Sequence, residues 1–289
     1  MWEFSLLNFN WLFTSSGEIV NNLIVRIKGG DVVRYSGLLG RSIKYSMSPL
    51  IHNQYYRENN IGLEYKIFDI EKGAIEHFLS DMEKNKIIGF NVTIPYKEYI
   101  ISFLDEVVYP AKYIGAVNTV TVNKGKLMGY NTDYYGFIKT LEDIKFNIKG
   151  CKALVIGSGG AAKAVLYALH DNGAKTIEVV ARREETLVEH SSIITRVWNF
   201  NKSFSLEDYH IVVNCTPLGG ANHSNVNPIT IIAASEDTLF YDLNYVPEKS
   251  LFLKKGEEFG CRIMNGKKML FNQAYKAIEI WNENNGEDL

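Results

Sequence analysis

From Tyr35 onward, short apolar runs alternate with amphipathic stretches: "YSGLLG", "SPLIHNQYYRENN", "EYKIFDI", "AIEHFLSDMEKN" and "IIGFNVTI" follow one another in order. Strand-length apolar runs separated by stretches of helical period predict βαβ units, which build parallel sheets covered by helices. Ser48 reads as the cap of the first helix, with Pro49 in its first turn. "YPAKYIGAVNTVTVNKGKLMGYNTD" predicts a helix end and then a hairpin whose turn is "NKGK". "DYYGFIKTLEDI" resumes a helix, and "KALVIGSGGAAKAVLYALHDNGAKTIEVV" opens a second βαβ unit. The strands "HIVVNCTP" and "TLFYDLNY" follow, with helices expected between them, and "KKMLFNQAYKAIEIWNEN" is a closing amphipathic helix. The fold class is α/β with two domains, the boundary falling near Asp133: a mostly parallel βαβ domain over 35–134, then a Rossmann-like one over 135–264.

The segment before residue 35 does not continue this grammar. Its end, "KGGDVV", can be back-translated, with one choice of codons, to a bacterial ribosome-binding site followed by a valine codon able to serve as a start. Two readings stand: a start at Val33 with upstream sequence translated along with it, or an N-terminal arm loosely attached to the fold. The apolar patch "LLNFNWLF" is short and lacks the basic flank of a signal peptide, so neither a leader nor a membrane span is expected.

Totals narrow the function. The chain has 289 residues, 46% hydrophobic and 22% charged, the balance of a globular protein with a proper core. A net charge of -2 gives no basic field, so nucleic acid is not an expected partner. Cys151, Cys215 and Cys261 are far apart and odd in number, which predicts neither a disulfide framework nor a zinc site and fits a reducing cytoplasm.

"ALVIGSGGAA" carries chemistry. An apolar strand runs into Gly157, Gly159 and Ala162 with G-x-G-x-x-A spacing. The first glycine allows the tight turn, the second lets backbone approach a pyrophosphate, and the small third residue lets helix pack on strand. The free N–H groups of the following helix then face phosphate. The next strand ends in "ARREE", where the ribose is read: Arg182 and Arg183 suit a 2′-phosphate, whereas Glu184 suits a 2′-hydroxyl. NADP is the favoured cofactor, with NAD left open.

The first domain places polar clusters at predicted strand ends: "SMS", "NVTIPYK", "GAVNTV" and "GYNTD". Taken singly each suits a cap or turn, but four in a row predict a shared polar pocket. Together "GRSIKYSMSPLIHN", "NVTIPYKE", "GAVNTV", "NTDYYGF", "GSGGAAKA", "NCTP", "YDLNY" and "MLFNQA" resemble, in order across about residues 35 to 282, the shikimate dehydrogenase family.

That resemblance implies reduction of 3-dehydroshikimate to shikimate with NADPH, a step toward aromatic amino acids, in a cleft between a substrate domain and a nucleotide domain. It also implies that the closing helix, 265–289, returns to the substrate domain. By motif, Ser46 and Ser48 bind the substrate carboxylate with help from Tyr245, while Thr93, Asn118, Asp133 and Gln273 hold the ring hydroxyls. Lys97 and Asp133 form the catalytic pair. Gly157, Ser158, Gly159, Gly160, Ala161, Arg182, Arg183, Thr216 and Gly266 bind the cofactor. The residue chemistry agrees: a carbonyl receiving hydride develops alkoxide, which needs a cation and a proton, and Lys97 can supply both. Asn91 is expected to hold local backbone, and His52 to be a packed or capping residue.

Three positions depart from the family pattern: Lys268 stands where a second glycine is usual, Ala181 where asparagine is common, and Ser250 where threonine is common. A quinate/shikimate dehydrogenase using NAD and a non-catalytic metabolite sensor remain as alternatives. The expected partner is a small molecule, with no membrane, and the protein is expected to be a monomer or homodimer.

Overall fold

The computed structural model describes residues 34–44 and 46–284. The reading of the N-terminal segment falls outside those residues. The first half builds β1 (Arg34–Gly40), α1 (Ser48–Glu58), β2 (Leu63–Asp69), α2 (Ile75–Ser80), β3 (Gly89–Val92) and β4 (Glu106–Val107). It continues with α3 (Ala111–Ile114), β5 (Thr119–Asn123), β6 (Lys126–Tyr130) and α4 (Thr132–Asp143). The second half builds β7 (Lys152–Ile156), α5 (Gly160–Asp171), β8 (Thr176–Val180), β9 (Arg196–Trp198), β10 (Ser203–Leu206) and β11 (Ile211–Asn214). It ends with β12 (Thr230–Ala234), β13 (Leu239–Asp242), α6 (Leu251–Glu258), β14 (Arg262–Asn265) and α7 (Lys267–Asn284).

The first sheet has the order β2-β1-β3-β5-β6-β4. Its β1 pairs in parallel with β2 and β3, β4 pairs in parallel with β6, and the β3–β5 and β5–β6 pairs are antiparallel. The hairpin turn is where "NKGK" put it: Lys124 and Gly125 both have positive φ, at 51° and 77°, as a two-residue primed turn requires. The second sheet is parallel throughout, in the order β14-β13-β11-β7-β8-β9. Its strand order reverses direction between β7 and β11, the point at which open α/β sheets bind ligands beyond their strand ends.

Two expectations are corrected. No helix lies between β11 and β13; that stretch holds β12, which pairs in parallel with β10 in a small separate sheet. The intervening "PLGGANHSNVNP" is dense in glycine, asparagine and proline, which break helices and favour turns. Nor does Ser48 cap α1. The cap position is Met47, Ser48 is the first helical residue, and the Ser48 N–H donates to Ser46 Oγ at 3.2 Å.

α7 runs along α4, and Trp281 near its end donates from Nε1 to Val120 O on β5 at 3.0 Å. Gly136 allows the close crossing, since a Cβ there would lie 2.9 Å from Gln273 Cβ and 3.0 Å from Met269 O. Below the first sheet, His52 is fully buried among Tyr56, Tyr65 and Trp281, with neither ring nitrogen hydrogen-bonded. Its ring stacks on Tyr65 at 4.0 Å with 16° between planes.

Burial holds the His52 pKa down at about 3, against an ordinary 6.5. Above pH 6.5 the group is neutral in both folded and unfolded chains and contributes nothing to pH dependence. Between 6.5 and 3 the unfolded chain binds a proton that the folded one refuses, so stability falls as pH falls, by up to about 1.4 kcal/mol per unit. Urea unfolding at pH 7 and pH 5 should therefore show His52→Phe losing about 2 kcal/mol less than the parent protein. Equal losses in both would mean that His52 does not carry this part of the acid response.

Candidate active site

Where the two sheets meet, a cavity of about 270 Å³ opens between the ends of β1 and β3 and the start of α7. Ser46, Ser48, Thr93, Lys97, Asn118, Asp133, Tyr245 and Gln273 all line it, joined by Ala161 and Gly266. Leu38, Val92, Leu243, Met269 and Leu270 supply apolar wall.

Each polar group arrives by a local device. Thr93 follows β3; its N–H donates to Leu39 O at 2.9 Å and its carbonyl accepts from Tyr96 N–H at 2.9 Å. That turn carries the chain to Lys97, whose carbonyl accepts the Val117 N–H at 2.7 Å. Asp133 sits in the first turn of α4, where the helix dipole favours an anion. The α4 cap is Asn131, which accepts from Tyr134 N–H at 3.2 Å and donates to Ala116 O at 2.9 Å. These turns bring Lys97 Nζ to 2.5 Å from Asp133 Oδ2, with 21% and 13% of the side chains exposed.

Asn118 is oriented from behind. Its Oδ1 accepts from Thr132 N–H at 2.6 Å and from Thr119 Oγ1 at 3.1 Å, so its amide N–H groups are the ones left for the cavity. Gln273 accepts from Thr132 Oγ1 at 3.3 Å and donates to Leu270 O at 2.9 Å. Asn91 donates to Asn118 O at 3.3 Å and Thr119 Oγ1 at 2.9 Å, and accepts from Tyr65 at 2.8 Å, so it ties strand to strand.

The glycine turn sits at the other side of the cavity. Gly157 has φ +119 and its N–H donates to Val180 O at 2.8 Å, which sets the turn beside the end of β8 and the exposed Arg182 and Arg183. Ser158 and Gly159 complete it, and a Cβ on Gly159 would meet nothing within 4 Å, so the turn is open where a pyrophosphate would approach. α5 starts at Gly160 with its free N–H groups on that side. A Cβ on Gly160 would lie 3.5 Å from Lys97 Cδ, so this turn rests against the lysine stem. These features fit a dinucleotide.

Thr216 stands next to the turn, held by Asn214 Oδ1 through its N–H at 3.0 Å and its hydroxyl at 2.7 Å. Sequence reasoning missed what holds Asn214. Asp242, fully buried at the end of β13, accepts from Asn214 Nδ2 at 3.0 Å, from Asn244 N–H at 2.9 Å and from Ser250 Oγ at 2.5 Å. Burial raises the Asp242 pKa against the pull of these donors. Asn244 in turn donates to Thr216 O at 2.9 Å. The signal was present in "NCTP" and "YDLNY", which the carboxylate joins.

The departures resolve in different ways. Lys268 turns onto α4, 3.2 Å from Asp143 Oδ2, and does not line the cavity. Ser250 supplies the hydroxyl that Asp242 needs and also caps α6, accepting from Leu253 N–H at 3.3 Å. Ala181 is buried, its N–H donating to Trp198 O at 3.0 Å.

Comparison with known proteins shows what the chain as a whole is similar to. The model of the shikimate dehydrogenase substrate binding domain matches residues 38–120. A shikimate dehydrogenase (NADP(+)) of Clostridium botulinum is 47% identical over 246 residues, which span 85% of this chain and 95% of that protein. The crystal structure of a Thermus thermophilus shikimate 5-dehydrogenase in complex with NADP(H) and shikimate matches with a TM-score of 0.77 at 29% identity, covering 87% of this chain and 94% of that one. That of a Listeria monocytogenes shikimate 5-dehydrogenase in complex with shikimate and NAD matches with a TM-score of 0.80 at 26% identity, covering 90% and 94%.

Proposed function

Because the chain belongs to the shikimate dehydrogenase family, we propose that its cavity carries out the reversible NADPH-dependent reduction of 3-dehydroshikimate to shikimate. The observation that carries the assignment to these residues is the Lys97–Asp133 pair, 2.5 Å apart in a cavity that Ser46, Ser48, Thr93, Asn118, Gln273 and Tyr245 also line.

NADPH, when bound, supplies the hydride. Lys97 donates the proton that the substrate oxygen takes up, and in the reverse direction receives it. Asp133 holds the ammonium in place and accepts from a neighbouring substrate hydroxyl. Asn118 donates its amide N–H to ring oxygens, while Ser46, Ser48 and Tyr245 meet the carboxylate. A site built to pair several hydroxyls rejects ring acids that lack them, since its buried polar groups would be left unpaired. Leu38, Val92, Met269 and Leu270 keep water from the reacting face.

For the cofactor, Gly157, Ser158, Gly159, Gly160 and Ala161 cradle the pyrophosphate, Arg182 and Arg183 take the 2′-phosphate, and Thr216 and Gly266 border the nicotinamide end. Residues 35–134 are assigned to substrate and catalysis, 135–264 to the dinucleotide, and the helix after 265 to the first of these. A cytoplasmic location and a monomer or homodimer suit such an enzyme. Among the described residues no helix is long and apolar enough to cross a membrane.

The test is a spectrophotometric assay. 3-Dehydroshikimate should drive loss of NADPH absorbance, with NADH at least about tenfold less effective. Arg182→Ala and Arg183→Ala should each raise the KM for NADPH about tenfold and leave that for NADH alone, a lost charge-assisted bond being worth about 1.5 kcal/mol. Preference for NADH and quinate would favour the alternative that Glu184 supports. Binding without turnover would mark a sensor.

A further inference from the structure

The carboxylate of Asp242, fully buried at the end of β13, has no part in the mechanism above, yet both residues assigned to the nicotinamide end are tied to it. On one side Asn214 Nδ2 donates to Asp242 Oδ1 at 3.0 Å, while Asn214 Oδ1 accepts the N–H and the hydroxyl of Thr216. On the other, Asn244 donates to the same Oδ1 from its backbone at 2.9 Å and from its side chain at 2.8 Å, while its carbonyl accepts from Gly266 N–H at 3.0 Å. Asp242 therefore stands two hydrogen bonds from Thr216 and two from Gly266. The residue after it, Leu243, lines the cavity.

The partners fix its charge. Asn214 Oδ1 faces the Thr216 N–H, so the group it turns to Asp242 is its donating amide, and Asn244 Nδ2 is fixed in the same way by Thr216 O at 2.9 Å. Ser250 Oγ accepts from Leu253 N–H at 3.3 Å and gives its own proton to Asp242 Oδ2 at 2.5 Å. Both oxygens thus receive protons from neutral groups, which is the arrangement of an ionised carboxylate, and none of these donors cancels its charge. Among the described residues lining the cavity the charged ones are Lys97 and Asp133, which offset each other. Asp242 adds a negative charge that this pair does not balance.

When a hydride, with its two electrons, passes to the substrate carbon and a proton from Lys97 passes to the substrate oxygen, the nicotinamide ring goes from neutral to singly positive. We propose that Asp242 sets the redox balance of the bound cofactor, its buried charge favouring the cationic oxidised ring over the neutral reduced one. NADPH in this site is then a stronger hydride donor than it would be without that charge. The phosphates do not enter the balance, because both forms carry them. A unit charge about 10 Å from the ring, in a partly buried site, shifts such a balance about tenfold. The inference rests on the assignment of Thr216 and Gly266 to the nicotinamide end.

Asp242→Asn isolates the charge. Its amide oxygen can keep the three donors at Oδ1 while its NH2 faces Ser250, whose hydroxyl turns to accept. Titration calorimetry without substrate gives the Kd of NADP+ and of NADPH. The ratio of the first to the second should rise about tenfold in the variant, which raises the potential of the bound two-electron couple by about 30 mV. Ser250→Ala removes a donor and keeps the charge, so it should leave the ratio within about twofold of the parent value, whatever it does to either affinity alone. A purely structural Asp242 would weaken both forms alike. An unmoved ratio in Asp242→Asn, or an equal shift in Ser250→Ala, would overturn the proposal. If Asp242→Asn does not fold, the parent protein gives the answer: NADP+ should be the tighter ligand of the two, and tighter binding of NADPH would overturn it. Should the parent bind neither form, the cofactor assignment falls and this inference falls with it. Should it bind both while Asp242→Asn leaves their ratio alone, the inference alone fails.

Discussion

Lys97→Ala should lower kcat by about a thousandfold, within the range that a positioned general acid contributes, while the KM for shikimate changes by no more than a few-fold. Hydride addition puts negative charge on an oxygen that is neutral in the ketone, so the partner of that charge acts in the transition state more than in the ground state. Lys97 is the cationic side chain among the described residues lining the cavity, and its ammonium is already held at 2.5 Å by Asp133. Its removal leaves the serines, Thr93, Asn118 and Gln273 where they were, which is why binding should survive. Steady-state kinetics in both directions would check this. Near-normal turnover in the variant would remove Lys97 from the chemistry and move the proton donor elsewhere in the cavity.

The parts of this site that could be read from sequence are those with a local cause. β7, β8, β11 and β13 are buried on both faces of a parallel sheet, so they read as continuous apolar runs, and a glycine turn after β7 is visible without any tertiary knowledge. Thr93 and Lys97 follow β3, Asn118 stands just before β5 and Asp133 opens α4, and polar residues at such element ends stand out beside apolar runs. β10 and β12 do not: one is four residues long and the other five, and they find each other across 23 intervening residues. Asp242 was hidden for a related reason. A carboxylate at a strand end looks ordinary until Asn214, Asn244 and Ser250, which are spread along the chain, converge on it. The placement of Ser48 failed at the level of one residue: a serine beside a proline suggests a cap, but the carbonyl and N–H pattern starts the helix at Ser48 and leaves its hydroxyl for the cavity.

Gly266→Ala should cut kcat/KM by about a hundredfold or more, although residue 266 bears no chemistry. Its φ is not in the left-handed region, so the demand is for space: a Cβ would lie 1.9 Å from Leu243 O and 2.5 Å from Leu243 C, both backbone atoms that cannot rotate aside. The Gly266 N–H donates to Asn244 O at 3.0 Å, and its carbonyl accepts from Leu270 N–H at 3.0 Å, so the residue joins the β13 loop to the first turn of α7. Relief requires those segments to separate by about an ångström, the scale of misplacement that costs about a hundredfold in rate. Leu243 and Tyr245 line the cavity from one segment and Met269, Leu270 and Gln273 from the other, so separation widens the cavity along its length. Gly73→Ala is the control, because a Cβ there meets nothing within 4 Å. Thermal unfolding together with kinetics distinguishes a displaced site from an unfolded chain: the variant should remain folded, with a lowered midpoint and a lost kcat/KM, and full activity would mean that the α7 start can move without carrying Gln273 away from its substrate.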